Sequence, residues 1–362
     1  MRVLYLINHA GKGGSEKYVE MLANGLIKKG GTPFLAYNEK GLLVDKLTKM
    51  GVKCIKLKMT NPYDINAAIK LAAVCKKLEI NIIHAQFPRE NYIAVLAKAF
   101  GGPRVIYTSH INLANTLPWK FTNYFFTRQN SAIIAVCTSV KDLLVQNRYP
   151  KNKIHIIFNG VSTNNSFSSE NIGKQPSPFV FTTLARLSYE KGLMFLLESV
   201  KALVQEFNPN FMLKIAGDGS MEEELRGYIR LNNLQDHVQL PGYVANTKEL
   251  LSQSHAYINS SQSEALSFAI LEAMSQGLPV IATKVGGNVD IIEKGKCGIL
   301  IEYGKPKQMA EAMNSIINDH NLYNRYSENA ISAIRDTFNI EKVFEQTYNL
   351  YEICNIRRAE ST

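Results

Sequence analysis

Two glutamates eight residues apart, Glu264 and Glu272, bracket the apolar run in SEALSFAILEAM at residues 263–274. On one continuous helix, eight steps would separate their side chains by about 80° around the axis and about 12 Å along it. Direct proton transfer between the two carboxylates is not built that way. The spacing fits a loop residue, Glu264, followed by a helix that begins near Leu266 and carries Glu272 two turns in. Each carboxylate would then reach a different part of one long ligand. Alone, Glu272 reads as an ordinary solvated residue on an apolar helix.

Three further groups have types and positions suited to chemistry. Arg186 and Lys191 lie in LARLSYEKG, residues 184–192, where a predicted strand gives way to a helix. A guanidinium grips a phosphate bidentately and an ammonium adds a point charge, although two surface cations would look the same. Gly11-Lys12-Gly13-Gly14-Ser15 follows the first predicted strand and opens a helix, a place where free N–H groups favour an anion. It departs from G-x-G-x-x-G because position 16 is Glu, and read alone it is equally a tight turn. His110 closes Thr108-Ser109-His110 after another predicted strand, where a lone histidine is more often a satisfied core residue.

These residues need a scaffold, and short β-rich runs alternating with helical patterns supply one throughout the chain. Strands are expected near 3–7, 32–37, 53–57, 80–85, 104–109, 131–137 and 153–157. After a polar, Ser/Asn-rich stretch between Gly160 and Pro178, read as a linker, the pattern restarts. Strands are then expected near 179–184, 212–216, 238–240, 256–259, 280–282 and 298–301, with a helix from about Lys191. The domains read as 1–165, 166–340 and a last helical stretch, 341–362, that packs back on the first domain. Two doubly wound parallel sheets facing one central cleft would place their ligands beyond the strands' carboxyl ends. Most of the chemistry-bearing residues sit there.

With 362 residues, the chain exceeds what one hydrophobic core usually supports. Its 46% hydrophobic and 20% charged residues exclude a disordered class. Its five scattered cysteines contain no C-x-x-C, which argues against a zinc site or disulfide framework and for a reducing, cytosolic compartment. No apolar run reaches membrane-span length. Residues 1–165 hold 23 Lys and Arg against 8 Asp and Glu, whereas the remainder holds 18 against 23. The basic half suits an anionic partner or, read plainly, a solvated Lys-rich surface. Within it, NTLPWKFTNYFFTR at residues 115–128 gathers the only tryptophan, four other aromatic residues and two cations. That composition suits a membrane interface or a buried helix covering the sheet.

Taken together, these elements resemble the retaining, nucleotide-sugar-dependent glycosyltransferases of the GT-B fold, specifically family 4. Glu264 and Glu272 correspond to that family's E-x7-E motif, with Leu271 to Thr283 similar to the run that follows it. Arg186 and Lys191 resemble its R-x4-K pair, and Gly13-Gly14-Ser15-Glu16 its G-G-x-E loop. Asn159-Gly160-Val161, Ala216-Gly217-Asp218-Gly219 and Thr108-Ser109-His110 also fall at comparable positions.

The resemblance implies an α/β protein of two Rossmann-like domains, the first binding the acceptor and the second a nucleotide sugar, most readily a UDP-sugar. Arg186 and Lys191 would neutralise the donor diphosphate, with Gly13, Gly14 and the helix start at Leu266, Ser267 and Phe268 lending backbone N–H groups. Glu272 would hold the ribose, Glu264 a hydroxyl of the transferred sugar, and Tyr243 and Val244 would flank the base. His110 would stabilise charge at the anomeric carbon, and Asn159, Gly217 and Asp218 would complete the donor site. Carboxylates suit hydroxyls because each oxygen accepts charge-assisted bonds. The sequence contains no D-x-D, so neither a divalent metal nor any other cofactor is expected beyond the nucleotide-sugar co-substrate. The acceptor implied is a glycan or lipid-linked sugar of cell-surface polysaccharide synthesis, with peripheral contact on an anionic inner membrane face and no nucleic acid. Ala265 replaces the glycine common after the first motif glutamate, which bears on the donor sugar's identity.

Among rival readings, a nucleic-acid binder lacks stacked-aromatic RNA motifs and a basic helix stripe. A nicotinamide-dependent oxidoreductase leaves Arg186, Lys191 and Glu264 without a role. A nucleotide-sugar epimerase or a non-catalytic relative on the same fold stays as the alternative.

Overall fold

The computed structural model describes residues 1–11, 13–110, 117–163 and 178–356. The chain divides into two compact units, residues 1–159 with 340–362, and residues 160–339. Much of the Ser/Asn-rich stretch read as a linker lies outside the described residues.

The first unit contains seven strands: β1 (Arg2–His9), β2 (Thr32–Glu39), β3 (Lys53–Lys56), β4 (Ile82–Ala85), β5 (Arg104–Ser109), β6 (Ala132–Ala135) and β7 (Ile154–Ile156). They pair in parallel in the order β3-β2-β1-β4-β5-β6-β7. In the second unit, β8 (Phe179–Leu184), β9 (Phe211–Ala216), β10 (Val238–Gly242), β11 (Ala256–Asn259), β12 (Val280–Thr283) and β13 (Gly298–Ile301) form a parallel sheet ordered β10-β9-β8-β11-β12-β13. Both orders reverse beside the first strand of the unit, between β1 and β4 and between β8 and β11. In doubly wound sheets that reversal opens a crevice at the strands' carboxyl ends.

Local composition explains these strands. Parallel strands covered on both faces are apolar without alternation, and Val3 to Ile7, Ile82 to Ala85 and Ala132 to Ala135 are all buried. The helices of the first unit are α1 (Gly14–Lys28), α2 (Leu42–Lys49), α3 (Ile65–Lys77), α4 (Pro88–Ala99), α5 (Leu117–Phe126) and α6 (Thr138–Gln146). Those of the second are α7 (Leu193–Glu206), α8 (Glu222–Leu231), α9 (Thr247–Ser252), α10 (Phe268–Met274), α11 (Gly287–Gly295), α12 (Pro306–Asn318) and α13 (His320–Asp336). The last helix, α14 (Ile340–Ile356), returns to the first unit. There Lys29, at the end of α1, pairs with Glu345 at 2.9 Å, and the buried Tyr351 hydroxyl meets His84 Nδ1 at 2.6 Å. Where the chain enters and leaves the second unit, the Val161 amide donates to the Phe338 carbonyl at 2.9 Å.

Two helix starts differ from expectation. The helix expected from about Lys191 begins at Leu193, because Gly192 adopts a left-handed conformation, φ 61°, after a single 3-10 turn at Tyr189–Lys191. The helix expected near Leu266 begins at Phe268. Ser267 is its N-cap, its Oγ accepting the Ile270 amide at 3.4 Å, and serine favours that position because its short side chain satisfies a donor the helix cannot. Glu272 is therefore just over one turn into α10, not two.

Candidate active site

In the second unit the chemistry-bearing residues collect on loops that leave the carboxyl ends of neighbouring strands. Lys191 follows β8 and Glu264 follows β11, and the order of the sheet makes those strands neighbours. Lys191 Nζ lies 2.8 Å from Glu264 Oε2, with 24% and 15% of the two side chains exposed. Ser261 Oγ donates to the same carboxylate oxygen at 3.1 Å. Such shielding makes this ion pair stronger than a solvated surface pair.

Main-chain contacts hold the two loops in register. Ser260 Oγ donates to the Lys191 carbonyl at 2.9 Å, and the Gln262 amide donates to the Glu190 carbonyl at 2.9 Å. Gln262 Nε2 adds a bond to Tyr303 Oη at 2.8 Å, after β13. Gly192 is required at this contact, since a Cβ there would overlap the Ser260 carbonyl oxygen. Beneath lies a buried polar brace. Asn288 Nδ2 donates to Asn259 Oδ1 at 3.1 Å and to the Thr283 carbonyl at 3.0 Å, while Thr283 Oγ1 donates to the Ser261 carbonyl at 2.6 Å. Buried groups paired this way rigidify the loop they support.

Glu272, half-buried on α10, approaches the same centre. Both motif glutamates act electrostatically on the buried Tyr257 hydroxyl, adding to burial, the larger cause, in raising its pKa above the ordinary phenol value. That hydroxyl bonds the main chain of Leu184 at the end of β8, with 3.2 Å to both N and O. Arg186 is exposed two residues later, and its charge reaches Glu190, whose carboxyl is held below its ordinary value first by a hydrogen bond from Ser188. Gly217 and Asp218 follow β9: the Gly217 amide donates to the Gly242 carbonyl at 2.9 Å and the Asp218 carbonyl accepts from the Leu187 amide at 2.8 Å. Tyr243 is exposed and Val244 half-buried after β10. Leu266 and Ser267 are buried and Phe268 is half-buried at the start of α10.

The remaining candidates belong to the first unit. Gly13 is exposed as the N-cap of α1 and Gly14 opens the helix, while Lys12 lies outside the described residues. Asn159 is buried at the end of the unit. His110 follows β5, with Nε2 3.0 Å from Gln86 Oε1 and its ring 4.9 Å edge-to-face with Tyr18. Burial pushes its pKa down to about 3. On α5 and the turn after it, Trp119, Phe121, Tyr124 and Phe125 are exposed, Asn123 is buried, and the Arg128 guanidinium stands 3.8 Å over the Tyr124 ring. Asn115 and Thr116 lie outside the described residues. No described helix is long and apolar enough to cross a membrane. None of the five cysteines is in a disulfide.

The sequence reading missed Ser261, Gln262, Tyr257, Tyr303 and Gln86. Single polar residues in loops carry no periodic signal, and only their placement beside Lys191, Glu264 and His110 marks them.

Comparison with known proteins identifies the family. The Glycosyltransferase Family 4 model matches residues 12–165, and the Glycosyl transferases group 1 model matches residues 164–333. A UDP-Gal:alpha-D-GlcNAc-diphosphoundecaprenol alpha-1,3-galactosyltransferase of Escherichia coli is 26% identical over 307 residues, covering 80% of this chain and 79% of the relative. An N-acetyl-alpha-D-glucosaminyl L-malate synthase of Bacillus anthracis is 24% identical, with 80% and 79% covered. Among solved structures, a glycosyltransferase from Rickettsia africae ESF-5 superposes with a TM-score of 0.84 at 22% identity, covering 98% of each chain. Anabaena HepE in complex with UDP superposes with a TM-score of 0.83 at 20% identity, covering 96% of this chain and 99% of that one. With the two matches spanning residues 12–333 between them, the chain belongs to the group 1, family 4 glycosyltransferases of the GT-B fold.

Proposed function

We propose that this glycosyltransferase moves a hexosyl or N-acetylhexosaminyl group from a nucleotide sugar, a UDP-sugar first, to a glycan or lipid-linked acceptor of cell-surface polysaccharide. The observation that carries the reading is the Lys191–Glu264 pair at the carboxyl ends of β8 and β11. An ammonium has three donors, so Lys191 can keep Glu264 and bind a phosphate oxygen at once, joining the group that holds the sugar to the one that holds the diphosphate. Arg186 supplies a second charge for the diphosphate, where negative charge gathers as the anomeric C–O bond breaks. Glu264 receives a hydroxyl of the transferred sugar and Glu272 the ribose. His110, in the first unit, serves the anomeric side. Retention of configuration and independence of divalent metal follow the family resemblance and the two cations.

A UDP-sugar donor is supported by the E. coli relative, whose name specifies UDP-Gal, and by Anabaena HepE, solved with UDP and with UDP-glucose. That E. coli protein's acceptor is a diphosphoundecaprenol-linked sugar, an anionic lipid. The basic balance of residues 1–165 suits such an acceptor, and the exposed aromatic residues of α5 beside Lys120 and Arg128 suit the surface of the membrane that would carry it.

A thermal-shift screen of UDP-, GDP- and ADP-sugars identifies the donor, since a ligand of the folded state raises its stability by mass action. A shift with UDP-sugars, followed by UDP release that depends on an acceptor, is expected. Nucleotide-sugar turnover without acceptor or UDP release would instead support the epimerase reading.

A further inference from the structure

Gln86 stands just after β4, completely buried, with its side-chain nitrogen donating to the His84 carbonyl at 3.1 Å. A backbone carbonyl only accepts, so the Gln86 amino group must face it, and the Gln86 carbonyl oxygen must face the other way. There, 3.0 Å away, is His110 Nε2. An amide oxygen only accepts as well. We propose that Gln86 is a positioning residue that fixes His110 as its Nε2–H tautomer, so that the ring offers substrate an Nδ1 lone pair rather than a proton.

The surroundings hold the ring in that state. Tyr18 packs edge-to-face on it at 4.9 Å and Phe87 lies at 5.9 Å. Burial keeps the imidazole neutral well below pH 6.5, since its pKa is pushed down to about 3. Gln86 is itself anchored by its own main chain, whose amide donates to the Leu6 carbonyl at 3.2 Å, extending β4 along β1. His84 cannot drift either, because Nδ1 meets Tyr351 Oη and Nε2 meets Thr108 Oγ1, both at 2.6 Å. Nδ1 of His110 makes no hydrogen bond with a described residue. A neutral ring with one nitrogen already donating is an acceptor at the other, and the group it would recognise is a hydroxyl of the bound sugar. This rests on the reading of His110 as a site residue, while the tautomer itself rests on the Gln86 geometry and on the burial that keeps the ring neutral.

Nitrogen-15 NMR of the histidine-labelled full chain reads the tautomer without any turnover. The His110 signal, assigned by its loss in His110→Gln, is expected to show protonated Nε2 and unprotonated Nδ1 from pH 5 to 8. Protonated Nδ1 in the wild type, alone or with Nε2, would overturn the proposal. In Gln86→Leu the signal is expected to become a mixture of tautomers, with kcat down about tenfold and donor KM little changed, a loss matching one weakened hydrogen bond. In Gln86→Glu the new carboxylate favours imidazolium, so an acid form should appear in the spectrum and a matching limb in the pH profile of kcat/KM. A locked tautomer in the wild type with full kcat in Gln86→Leu would sink the positioning role. The same spectrum with full activity in His110→Gln would sink instead the assignment of His110 to the site.

Discussion

Lys191 and Glu264, 73 residues apart in the chain, meet at 2.8 Å with most of both side chains withdrawn from water. Under the proposed function this ion pair divides the roles of the two motif glutamates, because Glu264 is tied to the cation proposed for the diphosphate while Glu272 lies on α10. Glu264→Gln keeps the shape but loses the charge, and is expected to lower kcat by about a hundredfold with a donor Kd within a few-fold of wild type. Glu272→Gln should weaken the donor Kd about tenfold with kcat nearly kept, the size of one lost charge-assisted hydrogen bond. Equal loss of donor affinity in both variants, with turnover intact, would end this division of roles.

Gly286 tests the loop that carries Glu264. Its φ is 49° and a Cβ would overlap the Glu264 carbonyl oxygen. Gly286→Ala must move that backbone, and is expected to cost about 2 kcal/mol or more. Activity per folded molecule should fall as it does in Glu264→Gln. Urea unfolding beside donor kinetics measures both, and a fully active Gly286→Ala would show that the loop's position is not critical.

Under the proposed function, Arg186 and Lys191 stabilise the leaving diphosphate with protein charge. Transfer rates are therefore expected to be unchanged by EDTA. Abolition by the chelator and recovery with Mg²⁺ or Mn²⁺ would assign that task to a metal.

Glu90 sets a pH dependence with a defined sign. Burial, the largest cause, raises its carboxyl to about 7 in the folded state from an ordinary 4.5, against the pull of the Glu90 and Asn8 amides and of Arg89. Between these values the folded chain binds more protons than the unfolded chain, so this group's contribution to stability falls as pH rises through the window. Glu90→Gln removes that slope. Its stability advantage over wild type should grow by about 1–3 kcal/mol from pH 4.5 to 7 and then level off. A constant difference across that range in chemical denaturation would remove Glu90 as the cause. His84 and His110, both pushed down to about 3 by burial, act in the opposite sense, since stability is lost as pH falls below about 6.5. Comparing variant with wild type at each pH cancels that background.

The rings of Phe121 and Phe125 are 70% and 53% accessible, and on the proposed membrane contact they supply its apolar area. Sedimentation with anionic liposomes at low salt is expected for the wild type, with more than a tenfold loss of binding in Phe121→Ser/Phe125→Ser. Failure of the wild type to sediment would remove the membrane from the proposal.

The sequence alone determined the kind of fold and the kind of chemistry. Val3 to Ile7 and Ile82 to Ala85 are apolar with little alternation because both faces of a parallel strand are covered, and burial on both sides is legible residue by residue. Arg186, Lys191, Glu264 and Glu272 stand out as candidates by their resemblance to the family's motifs, and each falls just after a strand or within the next helix. The tertiary structure decided the partnerships. The spacing of Glu264 and Glu272 fits a loop residue before a helix from near Leu266; the helix starts at Phe268 behind a serine cap, and it is Ser261 and Lys191 that hold Glu264 in its loop. Gln86 carried no signal until the pairing of β4 with β5 set it beside His110. Periodicity reports how much of each residue is covered, a local property. Which loops meet depends on the order of strands in the sheet, and that order places side by side residues that nothing in the intervening chain connects.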